Sequence, residues 1–198
     1  MKDLKNLPLA ELWQLFPIIL AAHNPAYTAW YAEEEETLLA LLSPFDPLRI
    51  NHIGSTAVEG LSAKPIVDIL LELPLCYAQA PIEELLEQNG WLVMAKDPAQ
   101  QTLDLNKGYT LQGFAERVFH LHIKPIGDWG ELYFRDYLRA HPAARTDYAR
   151  LKQTLQRQFE HGRDAYTVAK TAFILRHTGL ARAEFAGRYN GAPPPGGG

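Results

Sequence analysis

In residues 66–73 and 117–124 every second side chain is apolar, and this alternation predicts two strands of a β-sheet. Val67, Ile69, Leu71 and Leu73 make one face of the first strand fully apolar, and Phe119, Leu121 and Ile123 form the apolar stripe of the second, so these faces must pack against the core of the protein. The opposite face carries Asp68 in the first strand and His120 and His122 in the second. The two histidines are separated by one residue, which places them roughly 6.6 Å apart along a strand.

A third predicted strand, residues 102–106, places Asp104 opposite its own apolar stripe. If the three strands are neighbours, Asp68, Asp104, His120 and His122 converge on one surface. Carboxylates and imidazoles together suit a transition metal, and histidine also suits general base catalysis. An exposed sheet face with assorted polar residues is the alternative, but the composition of this face favours a ligand or metal site.

Periodicity and turn residues assign the rest of the chain. Strands are predicted over residues 17–20, 48–53 and 91–94, and helices over 8–16, 28–42, 81–89, 129–139, 142–160 and 164–186. The fold class is therefore α+β, a mixed sheet with flanking helices and a C-terminal helical lobe. We expect a single domain over residues 1–190, with an α/β core over 17–127 and C-terminal helices over 128–186, and then a flexible tail over 191–198.

Composition excludes several classes of protein. Cys76 is the single cysteine, so neither an internal disulfide nor a cysteine-rich zinc site can form. The sequence has no run of about 18 apolar residues that spans a membrane, and its start lacks the continuous apolar stretch of a signal peptide. We therefore expect a cytoplasmic protein. Nucleic acid is not an expected partner, because no basic stripe with interleaved aromatic residues occurs.

Charge is divided unevenly along the chain. Residues 1–116 carry 6 Lys and Arg against 16 Asp and Glu, whereas residues 117–198 carry 13 against 7. An acidic half that faces a basic half can frame an anionic ligand. The alternative is that both sets of charges lie on solvated helix faces.

A Gly54-Ser55 turn directly follows the predicted strand over 48–53. Such a turn can point backbone N–H groups at an anion, and the serine adds a hydroxyl donor. Lys64 adds positive charge. A plain tight turn is the alternative, but Asp68 follows on the next predicted strand and favours a ligand site.

A Gly-Ser turn followed by an aspartate-bearing strand resembles the nucleotidyltransferase superfamily, in which Gly-Ser holds the triphosphate and strand carboxylates hold Mg²⁺. More closely, the chain resembles the GrpB family from about residue 17 to residue 178. The motifs that carry this resemblance are HIGSTAVEGLSAKPIVDI (52–69), NKGYT (106–110), FAERVFHLHI (114–123), FRDYLRAHP (134–142), YARLK (148–152) and YTVAKTAFI (166–174).

The resemblance implies a nucleotidyltransferase-like fold, a nucleotide or phosphorylated small molecule as partner, and a divalent metal (Mg, Mn or Zn). In some relatives the domain is fused to dephospho-CoA kinase. Glu59 stands where relatives usually have proline, which is a change in a loop. Leu70 stands where the superfamily has its second carboxylate, so the usual pair of metal-binding acids is incomplete.

Three hypotheses follow. The first is a metal-dependent enzyme that transfers a nucleotidyl or phosphoryl group to a small molecule, with Asp68, His120 and His122 as catalytic residues and, with Asp104, as metal ligands. Its candidate phosphate-binding residues are Gly54, Ser55, Lys64, Lys107, Tyr109, Arg135, Lys152 and Lys170. The second is an inactive nucleotide- or ligand-binding or accessory module, which Leu70 favours. The third is a transition-metal-dependent hydrolase that uses the His-x-His strand.

Overall fold

The computed structural model describes residue 4 and residues 7–160 and 162–190; the predicted tail over 191–198 lies outside the described residues. The helices are α1 (Leu9–Leu15), α2 (Ala26–Leu41), α3 (Gln79–Gln88), α4 (Gly130–Ala140), α5 (Pro142–Gln158) and α6 (Arg163–Glu184). The strands are β1 (Arg49–Ile53), β2 (Val67–Leu73), β3 (Leu92–Asp97), β4 (Thr102–Thr110) and β5 (Gly113–Pro125). None of the described helices combines the length and the apolar character needed to cross a membrane.

The strands form one mixed sheet in the order β1-β2-β5-β4-β3. β2 and β5 run parallel, and the other neighbouring pairs run antiparallel. The register places Asp68 beside His120 and Asp104 beside His122. The predicted convergence of these four residues on one face of the sheet is therefore confirmed.

Helices α2 and α3 cover the apolar face of the sheet. Leu38 of α2 and Leu86 of α3 belong to one core cluster with Ile69 and Leu121, and all four side chains are fully buried. Sequence alternation predicts this face correctly because a shift of one residue would move every apolar side chain to the other face.

The opposite face is only partly covered. Leu132 of α4 packs on Leu70 and Ile53 at one end, and Glu72 is buried there with both carboxylate oxygens bound by Arg49. Helices α4, α5 and α6 pack against one another beyond this end, which leaves the histidine-bearing part of the face open. The α+β class, with a mixed sheet, flanking helices and a C-terminal helical part, is confirmed.

The predicted strand over residues 17–20 is wrong. The described structure has only an isolated bridge between Ala21 and Ala63 near this position. Ile18 instead donates its backbone N–H to the carbonyl of Glu160 and accepts a hydrogen bond from Gln156. The segment is apolar because it packs against the end of α5, not because it joins the sheet.

The β4–β5 hairpin extends past the predicted strand ends at residues 106 and 117. Gly108 interrupts the alternation there with a φ of +88°, and the register shifts between Lys107 and Tyr109. A Cβ atom at Gly108 would lie 2.3 Å from the carbonyl oxygen of Arg117. Such a bulge breaks the period of two on which strand prediction depends.

Candidate functional site

A cleft of about 460 Å³ opens between the histidine-bearing face of the sheet and the C-terminal helices. The sheet contributes Asp68, His120 and His122, and helices α5 and α6 contribute Lys152 and Lys170. The remaining polar lining comes from Gly54, Ser55, Lys64, Glu131, Tyr148, Tyr166 and Thr178. We call this the lysine cleft.

Asp68, His120 and Tyr109 form a hydrogen-bonded chain on the sheet. His120 Nδ1 lies 3.0 Å from Asp68 Oδ1, and His120 Nε2 lies 2.8 Å from the hydroxyl of Tyr109. A carboxylate only accepts hydrogen bonds, so Nδ1 carries the proton and Nε2 accepts from the tyrosine. Burial, together with the positive charges of Lys64 and His122, lowers the pKa of His120 below its ordinary value although Asp68 acts to raise it. Burial alone would raise the pKa of Asp68, but its hydrogen bond and charge interaction with His120 bring it below the ordinary value.

His122 forms a second pair, with Asp104. The two residues are joined by a hydrogen bond of 2.7 Å from His122 Nδ1 to Asp104 Oδ1, which leaves Nε2 as the ring nitrogen available to a ligand. Burial lowers the pKa of His122, but the hydrogen bond to Asp104 and the charges of Asp68 and Asp104 outweigh it and raise the pKa above its usual value. A histidine oriented by a carboxylate in this way is suited to accept a proton from a substrate.

The Gly54-Ser55 turn packs directly against Asp68. Gly54 has a φ of +68°, and a Cβ atom there would lie 2.2 Å from Asp68 Oδ2. The position therefore requires glycine both for its backbone conformation and for this close approach. Ser55 begins a short 3₁₀ helix, Ser55–Ala57, and lines the lysine cleft.

Lys152 connects the turn to helix α5. Its ammonium group donates to Ser55 Oγ at 2.9 Å and to the carbonyl of Ser62, although the residue is only 2% exposed. Burial, together with the positive charges of Lys170 and Lys64, lowers the pKa of Lys152 to about 7, although Asp68 acts to raise it. A bound anion would stabilise the charged form of this lysine and so raise its pKa again, and the lysine would in turn bind the anion strongly.

Positive charge exceeds negative charge in the described lining of the lysine cleft. Three lysines face two carboxylates, Asp68 and Glu131, and Glu131 is bound by Lys124 at 2.6 Å. Burial also lowers the pKa of Lys170. The cleft is thus suited to a ligand with more than one negative charge.

Two tyrosines of the lysine cleft, Tyr148 and Tyr166, are absent from the sequence predictions of site residues. Each precedes a cleft lysine by four residues, and the ammonium groups of Lys152 and Lys170 lie 4.8 Å and 4.3 Å from the respective ring centroids. The repeated Tyr-x-x-x-Lys spacing was the available signal, since it places ring and ammonium on one helix face.

The structure does not bring Lys107 and Arg135 to the lysine cleft. Lys107 lies on the α2 side of the sheet, where it binds Glu34 at 2.7 Å, because it follows Leu103 and Leu105 in the alternation. Arg135 is buried behind β1 and donates to the side chain of Asn51 and the carbonyl of His52. Tyr109 reaches the histidine face because the Gly108 bulge reverses the alternation, and it touches His120 rather than the lysines.

The donor set does not fit a two-metal site. Asp68 and Asp104 each use an oxygen to bind a histidine, and the side chain of Leu70, which carries no ligand atom, is fully buried between them in sequence. Glu72 is held by Arg49. Within residues 7–160 and 162–190, no group of three or more His, Cys, Asp and Glu side chains is arranged to hold a metal ion.

Comparisons with known proteins identify similar chains. Residues 17–179 match the family described as GrpB protein. A UPF0157 protein of Pseudomonas aeruginosa is 37% identical over 161 residues, which cover 81% of this chain. A dephospho-CoA kinase of Mycolicibacterium paratuberculosis is 27% identical over 177 residues, which cover 78% of this chain. The crystal structure of the conserved protein GrpB from Enterococcus faecalis superimposes with a TM-score of 0.72 at 29% identity, covering 84% of this chain and 99% of that one.

The chain spans nearly the whole of the Enterococcus faecalis chain but only part of the two other relatives. It spans 66% of the Pseudomonas aeruginosa protein and 43% of the kinase. The shared part is therefore a unit that occurs within longer proteins, and it contains the β-sheet and the lysine cleft.

Proposed function

The chain belongs to the GrpB family, and from the geometry of its lysine cleft we propose that it binds the phosphate groups of a nucleotide or another phosphorylated small molecule there and transfers a nucleotidyl or phosphoryl group to a small acceptor. The observation that carries this proposal is the set of three lysines, Lys64, Lys152 and Lys170, around the Gly54-Ser55 turn. Lysine is a common phosphate ligand, and burial strengthens its interaction with an anion.

In the transfer step, His122 acts as the general base. The acceptor oxygen forms a bond to phosphorus while the bond from phosphorus to the leaving phosphate group breaks. The proton of the acceptor hydroxyl moves to Nε2 of His122, and Asp104 stabilises the resulting imidazolium through Nδ1. The leaving group departs as an anion whose charge Lys152 and Lys170 neutralise.

Dependence on Mg, Mn or Zn stays a prediction, because the described donors do not form a multi-ligand site. For the same reason the arrangement favours phosphate binding over a transition-metal hydrolase. A binding module without turnover is the second candidate, and the buried Leu70 at the second carboxylate position favours it.

Thermal shift and calorimetry with pyrophosphate and the four ribonucleoside triphosphates, each in EDTA, Mg²⁺ or Mn²⁺, test the proposal. We expect at least one ligand to raise the melting temperature of the wild type, since binding to the folded state stabilises it. The variant Lys152→Met should bind about tenfold more weakly or worse. The control Lys96→Met, at an exposed lysine bound to Glu83 outside the cleft, should bind normally.

The outcomes separate the candidates. Binding together with formation of a new phosphate ester from a mixture of alcohols, followed by ³¹P NMR, supports transfer. Binding without any turnover supports the module. If no ligand in any metal condition shifts the melting temperature, both candidates are wrong.

A further inference from the structure

A second cavity of about 660 Å³ lies on the same face of the sheet, beside the lysine cleft. One part of its wall comes from α1 and the residue that follows it, with Leu12, Trp13 and Phe16. Another part comes from β3, with Val93 and Met94. We call this the apolar cavity after these two walls, which carry no charged side chain. Its lining also includes polar side chains, namely Asn106, Tyr109, Asp164 and Thr167.

The two cavities share a wall made of Lys64, Asp68, His120 and His122. The rings of His120 and His122 stand nearly perpendicular, at an interplanar angle of 87°, with their centroids 6.5 Å apart. A ligand in either cavity therefore reaches the same two imidazoles. Reacting groups from two different ligands can meet at this wall.

The size and the exposure of the apolar cavity are suited to a small molecule. Its volume falls within the range of about 300–1,000 Å³ that is typical of small-molecule sites. Met94 is 60% exposed although it lines the cavity, so a ligand with an apolar body would remove it from water. Methionine adapts to ligands of different shape. Asn106, beside His120 in the register, supplies an amide for a polar substituent.

We propose that the apolar cavity binds the acceptor of the transfer reaction, and that this acceptor is an uncharged small alcohol with an aromatic or aliphatic body. The body packs between α1 and β3, and the hydroxyl reaches Nε2 of His122 at the shared wall. The phosphate donor occupies the lysine cleft on the other side of the same histidines. This inference rests on the proposed function and specifies its acceptor class.

Ligand-observed NMR with phenethyl alcohol as the probe and ethylene glycol as its polar counterpart tests the inference. We expect the wild type to bind phenethyl alcohol and not ethylene glycol. Met94→Asp and Thr167→Trp should each weaken this binding at least about fivefold, the first by placing a charge beside the apolar body and the second by filling the cavity. Leu75→Asp is the matched control, since Leu75 is 69% exposed and lies outside both linings.

Pyrophosphate binding, measured on the same proteins, distinguishes this inference from the proposed function. Met94→Asp and Thr167→Trp should keep it, whereas Lys152→Met should lose it and still bind phenethyl alcohol. If the wild type binds pyrophosphate but not phenethyl alcohol, or if both cavity variants bind the alcohol as the wild type does, the acceptor assignment is wrong and the phosphate site stands. If pyrophosphate fails to bind to the wild type, the proposed function fails instead, and the acceptor assignment falls with it.

Discussion

Two Asp–His pairs lie side by side on one face of the sheet, and they differ in what holds the second ring nitrogen. In the Asp68–His120 pair, Tyr109 occupies Nε2, and burial lowers the pKa of the histidine. In the Asp104–His122 pair the carboxylate likewise holds Nδ1, but Nε2 is left available to a ligand, and the pKa of the histidine is raised. The same two residue types, at adjacent positions of one sheet, therefore form a structural pair in one case and a proton acceptor in the other.

Replacement of His122 by glutamine should give the largest effect. Loss of a general base typically lowers the rate 10²- to 10⁴-fold, so we expect kcat to fall by about that factor while pyrophosphate binding is retained. The corresponding change His120→Gln should instead lower the free energy of unfolding, because the partly buried carboxylate of Asp68 loses its hydrogen bond to the imidazole. Steady-state kinetics and urea denaturation of the two variants measure the contrast.

A His122→Gln variant that turns over at the wild-type rate would assign the base to another residue. A His120→Gln variant with unchanged stability but reduced kcat would reverse the roles of the two pairs.

The Gly54→Ala substitution should break the support of the Asp68–His120 pair. The added methyl would meet Asp68 Oδ2 at 2.2 Å, in addition to the strain of an alanine at a φ of +68°. Gly60→Ala is the matched control, because Gly60 has a φ of +74° and a Cβ atom there meets nothing within 4 Å. We expect Gly60→Ala to cost about 1–2 kcal/mol of unfolding free energy, and Gly54→Ala about 2 kcal/mol more.

Chemical denaturation of both glycine variants gives the difference directly. Equal costs in the two variants would mean that the Asp68 carboxylate moves away freely and is not held by the turn.

The buried lysine opposite Asp68 should make stability depend on pH. The pKa of Lys152 is about 7 in the folded state, against 10.5 as its reference value. Between these values the unfolded chain holds a proton that the folded protein lacks, so this residue makes stability rise with pH above about 7. Below pH 7 both states are protonated, and the full cost of burying the charge applies.

Lys152→Met removes this titration. We expect the variant to be more stable than the wild type at pH 6, with an advantage that shrinks by about 1.4 kcal/mol per pH unit from pH 7 towards pH 9. Lys96→Met, at a side chain that is 53% exposed, should show no such trend in urea denaturation at each pH. A constant difference between wild type and Lys152→Met across this range would contradict the assignment of the titration to Lys152.

The sequence predicts that the four residues share one face of the sheet, but it predicts neither their Asp–His pairing nor the difference between the two pairs. Alternation places Asp68, Asp104, His120 and His122 on one face because a strand has a fixed period. It cannot show that Tyr109 reaches His120, because the bulge at Gly108 reverses the pattern just before that residue. Sequence periodicity therefore does not predict long-range contacts that depend on one irregular residue.

The lysine cleft was predicted in part for a related reason. Gly54, Ser55, Lys64 and Lys170 line the cleft, and each of them lies within one of the short sequence motifs over residues 52–69 and 166–174. Lys107 and Arg135 do not line it, because their positions depend on which side of the sheet each element packs against. Glu34 and Asn51, which bind them, are far away in the sequence.

Tyr109→Phe should give the smallest effect and the sharpest test of the comparison. The hydroxyl of Tyr109 donates to Nε2 of His120 and so favours the neutral ring. Loss of a hydrogen bond worth about 1 kcal/mol should raise the pKa of His120 by roughly 0.7 and leave that of His122 unchanged. Histidine ring resonances followed by NMR titration report both values, with Phe16 and Phe114 beside Tyr109 keeping the phenylalanine ring in place. Equal shifts at the two histidines would show that the pairs titrate as one unit, and the contrast between support and proton acceptor would then be lost.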